Sequence, residues 1–241
     1  MSHLPLSGLR IISFEQYGAA PYASMFMADL GAEVIKIEGV DGDYARQTGP
    51  KTIGEQDSLY YQCFNLNKHS MILDLKNDAD RALFHHMVAE SHGVLNNLRG
   101  SLPAKLGLDY PALQQFNPAI VCGHISAYGR GNSRSDWPGY DFLMQAEAGI
   151  MSLTGEPGAP PARVGLSMID YMTGMMMAFG FVSAIRKAEQ DGIGCDVDVS
   201  LFDAALHQLA YQGTWYLNEH IETERIARSA HPSSVPVQLF S

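Results

Sequence analysis

Short apolar runs alternate along this chain with stretches in which apolar positions recur every three or four residues. Leu9–Phe14 (LRIISF) reads as a buried strand, and Glu33–Glu38 (EVIKIE) as the next one. Between them Pro21 opens a helical stretch through Leu30 that Gly31 closes, the usual placing of proline and glycine at helix ends. So short a crossover between two buried runs predicts parallel strands. The polar segment Asp41–Asp57 reads as a surface loop. Leu59–Leu66 and Met71–Leu75 read as extended, with Asn67-Lys68-His69 between them. Asn77 then begins a helix (NDADRALFHHMVAESHG), with acids in its first turn and a histidine at its end, as the helix dipole prefers.

Gly93–Asn96 is predicted as a short strand, followed by a loop and short helix through NLRGSLPAKLG. Tyr110–Phe116 is predicted helical and Ala119–Ser126 (AIVCGHIS) as another buried strand. A glycine-rich loop, YGRGNSRSDWPGYDF, leads to a helix at about Tyr140–Ala148, and TGEPGAPPARVG is a turn-rich connector. A long apolar helix follows, then a strand at Cys195–Leu201 and a helix over Phe202–Leu217. Repeated strand–helix alternation predicts an α/β domain with a mostly parallel sheet. From Asn218 the chain turns extended and proline-bearing, more linker than core.

The connector delivers the chain to Arg163–Lys187, RVGLSMIDYMTGMMMAFGFVSAIRK, where one carboxylate, Asp170, sits among apolar, small and hydroxylic residues. An ionised group there must find partners or it is costly to bury. Two readings stand side by side. Asp170 caps the helix, or it is a nucleophile or base in a water-poor site. The loop EQYGAAP offers backbone amides at a helix N-terminus, where an anion could sit. It is not GxGxxG, so no dinucleotide fingerprint is present.

Composition narrows the classes. The net charge of −10 over 241 residues argues against nucleic-acid binding. The Met-rich run Met172–Val182 is shorter than a bilayer span and reads as a buried helix, so no membrane partner is expected. Three cysteines without CxxC spacing read as reduced thiols in a cytoplasmic protein. The histidines lack metal-ligand spacing, so no metal is expected. Residues 97–135 carry Arg99, Lys105, Arg130 and Arg134 against Asp109 alone, a basic island in an acidic chain that suits an anionic ligand such as a phosphate.

Several of these pieces resemble one family. PLSGLRIISFEQYGAAPYASMFMADLGAEVIKIE resembles the N-terminus of the family III CoA-transferases, the group of formyl-CoA transferase and carnitine CoA-transferase. SMILDLK, Asn97–Gly107, GYDFLMQAEAGIMSLTGEP, MIDYMTG, GIGCDVDVSLFDA and AHPSSVPVQLF match its later landmarks in order. The resemblance implies a Rossmann-like CoA-binding large domain, here residues 1–217. Residues 218–241 would be a linker towards a small second domain that lies largely outside this sequence, so the chain is expected to be part of something longer. It also implies a homodimer of interlocked chains, no tightly bound cofactor, and coenzyme A or acyl-CoA and a small organic acid as substrates.

The reaction it implies moves CoA from an acyl-CoA to a free carboxylic acid through an aspartyl anhydride and an aspartyl-CoA thioester, with Asp170 as nucleophile. The positions matching the family's CoA contacts are Gly18, Ala19, Leu73, Asp74, Leu75, Lys76, Asn97, Leu98, Arg99, Lys105, Pro138, Gly139, Tyr140 and Asp141. Gly18 and Gly39 stand where formyl-CoA transferase has glutamine and arginine, which weakens an assignment of oxalate or formate as the acid. The first alternative is an α-methylacyl-CoA racemase, whose GHD triplet is here Gly139-Tyr140-Asp141. Tyrosine is no base near neutral pH, leaving His124 as the residue to watch. The second is a non-catalytic CoA-binding or subunit-interaction module.

Overall fold

Parallel pairing of the apolar runs is what a computed structural model of the protein shows, over residues 4–50, 52–55 and 57–240. Strand β1 (Arg10–Phe14) leads through helix α1 (Ala19–Asp29) to β2 (Glu33–Glu38). Helix α2 (Leu59–Asn65) precedes β3 (Lys68–Ile72), and α3 (Asp78–Ala89) precedes β4 (Gly93–Asn96). Helices α4 (Leu102–Leu106) and α5 (Tyr110–Leu113) precede β5 (Val121–Ser126). Then come α6 (Asp141–Glu147), α7 (Ile150–Leu153), the long α8 (Met168–Asp191), β6 (Cys195–Ser200), α9 (Leu201–Gln208) and α10 (Ala210–Glu219). Among the described residues the six strands form one sheet in the order β3-β2-β1-β4-β5-β6, every pair parallel. This is the Rossmann-like order, and its direction reverses between β1 and β4, where a crevice opens at the carboxyl ends of the strands.

Alternation along the strands builds two cores. Ile11, Val34, Leu95, Val121 and Ile125 face α1 and α8, while Ile12, Ile37, Val94 and Cys122 face Phe84 and Val88 of α3 and Leu113 of α5. Helix α8, at 24 residues, is long and apolar enough to cross a bilayer. Ile169, Thr173, Gly174, Met177, Phe181, Ile185 and Ala188 nevertheless recur every three or four residues as the face it buries in the first core. Phe181 is seated on Gly93, where an added Cβ would lie 2.4 Å from its Cζ.

A chain of buried charges lies beneath α1 and α2. Lys36 Nζ donates to Asp43 Oδ2 at 2.5 Å and to Asn65 Oδ1 at 3.0 Å. Lys68 Nζ donates to the same Asn65 oxygen at 3.2 Å and to Glu15 Oε1 at 2.7 Å. Glu15 also accepts the hydroxyls of Ser13 and Ser24. Beside it, Glu38 takes two bonds from Arg46, at 2.8 and 2.6 Å, and one each from Tyr61, Ser70 and the Asp43 amide. Such pairs avoid the penalty of an unpaired buried ion, and they tie the loop after β2 and helix α2 to the sheet.

This network explains where the structure departs from the sequence reading. Leu59–Leu66 is not extended but forms α2. Ser58 Oγ accepts from the Tyr61 amide at 3.0 Å, and Tyr61 and Phe64, three apart, turn inward. The aromatic content mimics a strand, because β propensity reflects packing more than backbone preference. Strand β3 begins at Lys68 and stops at Ile72, so Asn67-Lys68-His69 is no simple connection and Leu73–Leu75 lie beyond the strand. The Asp41–Asp57 loop buries Asp43 and Ala45 around the single turn Tyr44–Gln47. The helix expected over Phe202–Leu217 is two helices, broken at Ala210 with φ +45°. Residues 220–240 hold one short 3₁₀ turn, Ala227–Ser229, and return to the connector through Arg225 Nη1 to Pro160 O at 3.1 Å and the Arg228 amide to Glu156.

Burial alone would raise the Glu38 carboxyl, but Arg46, Ser70 and the Asp43 amide bring it from its ordinary 4.5 down to about 2. A lowered carboxyl stabilises the fold fully above about pH 4.5, and that contribution is lost as pH falls towards 2. Glu38→Gln should therefore cost about 3 kcal/mol at pH 7, with the difference from the parent shrinking in acid. Urea denaturation of both proteins at pH 7 and pH 3 checks it, and an equal deficit at both pH values would contradict it.

Candidate active site

The crevice between β1 and β4 is closed by a pair of side-chain bonds. Asn97 Oδ1 accepts from the Gln16 amide at 3.0 Å, and Asn97 Nδ2 donates to Gln16 O at 2.7 Å. The chain then turns sharply at Tyr17, a non-glycine residue in the left-handed region with φ +61°. It enters α1 at its N-cap, Gly18. Glu15 anchors the same turn from below through Ser13 and Ser24.

Helix α8 brings Asp170 to this turn. Gly174 lies against α1 so closely that a Cβ there would meet Ala19 O at 2.6 Å and the Ala23 amide nitrogen at 3.3 Å. One helical turn earlier, on the same face, the Asp170 carboxylate lies against Gly18, where a Cβ would be 3.0 Å from its Oδ2. Burial, and then the like charge of Asp141, push the Asp170 carboxyl from 3.8 up to about 7. Around it stand Tyr60 and Phe64 from α2, Tyr22 from α1 and Tyr171 from α8. Tyr22 and Tyr171 lie 4.8 Å apart between ring centroids, and Tyr60 and Phe64 5.2 Å apart. Burial and the nearby Asp170 push the Tyr60 hydroxyl up to about 12. A carboxylate poised near neutrality in a half-buried aromatic site is suited to act as a base or nucleophile.

The other residues singled out in the sequence follow β1, β3, β4 and β5, so parallel pairing brings them to one rim. From β3 to β5 that rim spans four strand spacings, about 19 Å. Ala19 is buried in α1. Leu73 is buried where the chain leaves β3, its amide bonded to Glu38 O at 3.1 Å. Asp74 Oδ1 accepts from the Lys76 amide at 3.0 Å, Leu75 O accepts from Arg81, and the Lys76 side chain is exposed. The Leu98 amide reaches Asn96 Oδ1 at 3.4 Å. Pro138 and Tyr140 are exposed at the head of α6, with Gly139 packed on Ala127 between them. Tyr140 and Phe142 lie parallel, their rings 6.0 Å apart. Asp141, in contrast, is buried and points inward.

The basic island divides. Arg130 is bound by Asp196 and Asp198, and Arg134 by Glu147. Arg99 and Lys105 stay exposed on the rim beside Asp136. His124 is buried in β5 on the face opposite α8, between Asn96 Nδ2 at 2.9 Å and Asp196 Oδ1 at 3.0 Å. Alternation along β5 puts it with Cys122, away from Asp170. Tyr60, Gln145 and the Glu15–Lys68 pair were not singled out in the sequence. The i, i+4 spacing of Asp141 and Gln145 on α6 was the signal available for one of them. Among the described residues no three His, Cys, Asp or Glu side chains gather into a metal site.

Known proteins resemble this chain in sequence and in fold. The family described as CoA-transferase family III matches residues 6–241. Succinate–glutarate CoA-transferase of Agrobacterium fabrum is 34% identical, over 98% of this chain and 60% of that protein. Acetyl-CoA:oxalate CoA-transferase of Acetobacter aceti is 35% identical, again over 98% of this chain and 60% of its relative. A solved CAIB/BAIF family protein from Brucella suis superposes with a TM-score of 0.91 at 33% identity, covering all of this chain and 64% of the other. The chain thus spans about 60% of the length of these two curated relatives.

The contact that sets the geometry can be broken by one methyl group. Gly174→Ala places a Cβ against backbone atoms of α1, which cannot rotate aside. The helices must separate, at about 1–3 kcal/mol for an overpacked site. The melting temperature should fall by about 2–4 °C for each kcal/mol in a chain of this size. Calorimetry checks it, and an unchanged melting temperature would show that α1 and α8 yield at no cost.

Proposed function

The chain belongs to CoA-transferase family III, and on that premise we propose that it moves CoA from an acyl-CoA to a free carboxylic acid with Asp170 as the nucleophile. The observation that carries the reading is the Asp170 carboxylate, half-buried and raised to about 7, lying against the bare backbone of Gly18 in the crevice. A carboxylate is a weak nucleophile in water. Removal of water strengthens it and protects an anhydride from hydrolysis.

In this reading one Asp170 oxygen attacks the thioester carbonyl carbon, the C–S bond breaks, and CoA leaves as thiolate. The thiolate attacks the Asp170 carbonyl of the mixed anhydride, releases the first acid as its carboxylate, and leaves an aspartyl-CoA thioester. The acceptor carboxylate attacks that thioester and expels the thiolate. The thiolate then takes the acceptor's acyl carbon and restores Asp170. No proton is gained or lost over the cycle. The exposed Arg99, Lys105 and Lys76 on the rim would hold the phosphates, and the names of the two curated relatives favour a small dicarboxylate as the acid. Association of two chains belongs to the same reading. It is supported by Met172, Met175, Phe179 and Leu217, which α8 and α10 leave exposed. The racemase alternative loses support, because His124 faces the other side of the sheet.

Asp170→Asn should retain CoA binding and lose CoA transfer between an acyl-CoA and a small dicarboxylate by at least about 10⁴-fold. In the parent, transfer should rise as pH passes upward through about 7, as the carboxyl ionises. The tryptic peptide containing Asp170 should gain the mass of CoA less one water during turnover. Comparable turnover in the variant, or acceptor-independent uptake of deuterium beside the thioester with no CoA moved, would overturn the reading.

A further inference from the structure

Helix α8 begins without a cap of its own. Its N-cap residue, Ser167, makes no capping bond, so the first amides of the helix need acceptors from elsewhere. Asp141 supplies them from α6. Its Oδ2 accepts from the Ile169 amide at 2.6 Å and from the Asp170 amide at 3.2 Å. Its Oδ1 accepts from Gln145 Nε2 at 2.5 Å, one turn along α6. Gln145 in turn donates to Leu166 O at 3.3 Å and accepts from the Val164 amide at 2.9 Å. Two buried side chains on one face of α6 therefore hold the whole entry segment from Val164 to Asp170.

We infer that Asp141 is a positioning residue that acts through Asp170, fixing its backbone by capping α8 from α6 and facing its carboxylate with like charge. The inference rests on the reading of Asp170 as the nucleophile. The Ser167 hydroxyl could have capped the helix without burying a charge, yet it makes no capping bond. A buried carboxylate in that place adds an electrostatic effect that a hydroxyl cannot. Three N–H donors converge on Asp141 at the positive end of α8, whereas none reaches the Asp170 carboxylate among the described residues. When two carboxylates share a site, the less supported one holds its proton to higher pH.

The groups facing Asp170 from each packed element agree with this. Asp141 comes from α6, Tyr60 from α2, the Gly18 backbone from α1 and Tyr171 from α8 itself, with Cys63 and Tyr22 beyond them beside Tyr171. None of these is a cation. Burial raises Tyr60, Tyr171 and Cys63, so they add no charge near neutral pH. Asp141 is then the charged partner that distinguishes the Asp170 site from an ordinary apolar pocket.

The test follows the Asp170 carboxyl by ¹³C NMR in protein labelled at aspartate, with Asp170→Asn identifying the signal. The midpoint near 7 should fall by about one unit or more in Asp141→Asn. The acid limb of the pH–rate profile should move down with it, and kcat should fall more than the KM for acyl-CoA. An unmoved midpoint in folded Asp141→Asn overturns the inference. An asparagine must turn its amide either on the α8 N–H groups or on Gln145, so this variant can fail to fold. The parent protein then decides. The Asp141 carboxyl signal must register the Asp170 step near pH 7, as coupled sites do, and a flat Asp141 signal there overturns the inference. Transfer surviving in Asp170→Asn would remove the nucleophile and leave the carboxylate coupling standing. An unmoved midpoint with transfer lost in Asp170→Asn would do the reverse.

Discussion

Helices α1 and α8 touch backbone to backbone at Gly174 and Ala19, and the rest of the site depends on that approach. With no side chain between them, the preceding turn of α8 carries Asp170 onto Gly18, where α1 begins. The crevice at the β1–β4 reversal thereby receives a carboxylate from a helix that follows β5 in the chain. The same approach leaves Asp170 only partly exposed to solvent. A carboxyl whose charged form is short of solvent holds its proton near neutrality and is more reactive once it loses it.

Two sets of buried charge sit on either side of this contact and are arranged oppositely. In the Asp43–Lys36–Asn65–Lys68–Glu15 chain every ion has a partner of opposite sign, and the Arg46–Glu38 pair beside it is matched likewise. Asp170 and Asp141 are a like-charged pair, with the hydrogen-bond donors gathered on one member. The signs of their linkage to folding differ accordingly. Glu38 stabilises the fold above about pH 4.5 and loses that effect towards 2. The Asp170 carboxyl, raised above its unfolded value, favours the fold below about 3.8 relative to neutral pH, and that advantage is lost as pH rises through about 7. Matched ions hold the scaffold, and the unmatched pair sits where α8 meets the start of α1.

The strands were legible because their signal is local. Glu33–Glu38 and Gly93–Asn96 coincide with β2 and β4 residue for residue, since short apolar runs between turn residues admit few other structures. Helix α3 was equally plain from its cap Asn77, whose side chain accepts from the Ala79 amide. Helix α2 was not. Its aromatics fit a strand as well as a helix until Arg46, Glu38 and the packing of Tyr22 on Phe64 decide between them. Asp170 stood out as a lone carboxylate in an apolar run, and the ordered motifs around it carried the family.

What the sequence determined by itself was therefore the alternation of elements, the parallel sheet, the family and the carboxylate that we propose as the nucleophile. Each of these is written in neighbouring residues or in motifs taken in order. The tertiary structure alone decided which groups surround that carboxylate. Asp141 matches a family contact position in the sequence, yet in the fold it turns inward to cap α8, twenty-nine residues from Asp170 along the chain. Arg130 and Arg134 belong to a basic island in the sequence but are neutralised in the fold by acids from β6 and α6. Charge is counted along a chain, but its effect falls off with distance in space and with exposure to water. Only the packing of α1, α2, α6 and α8 sets those two quantities.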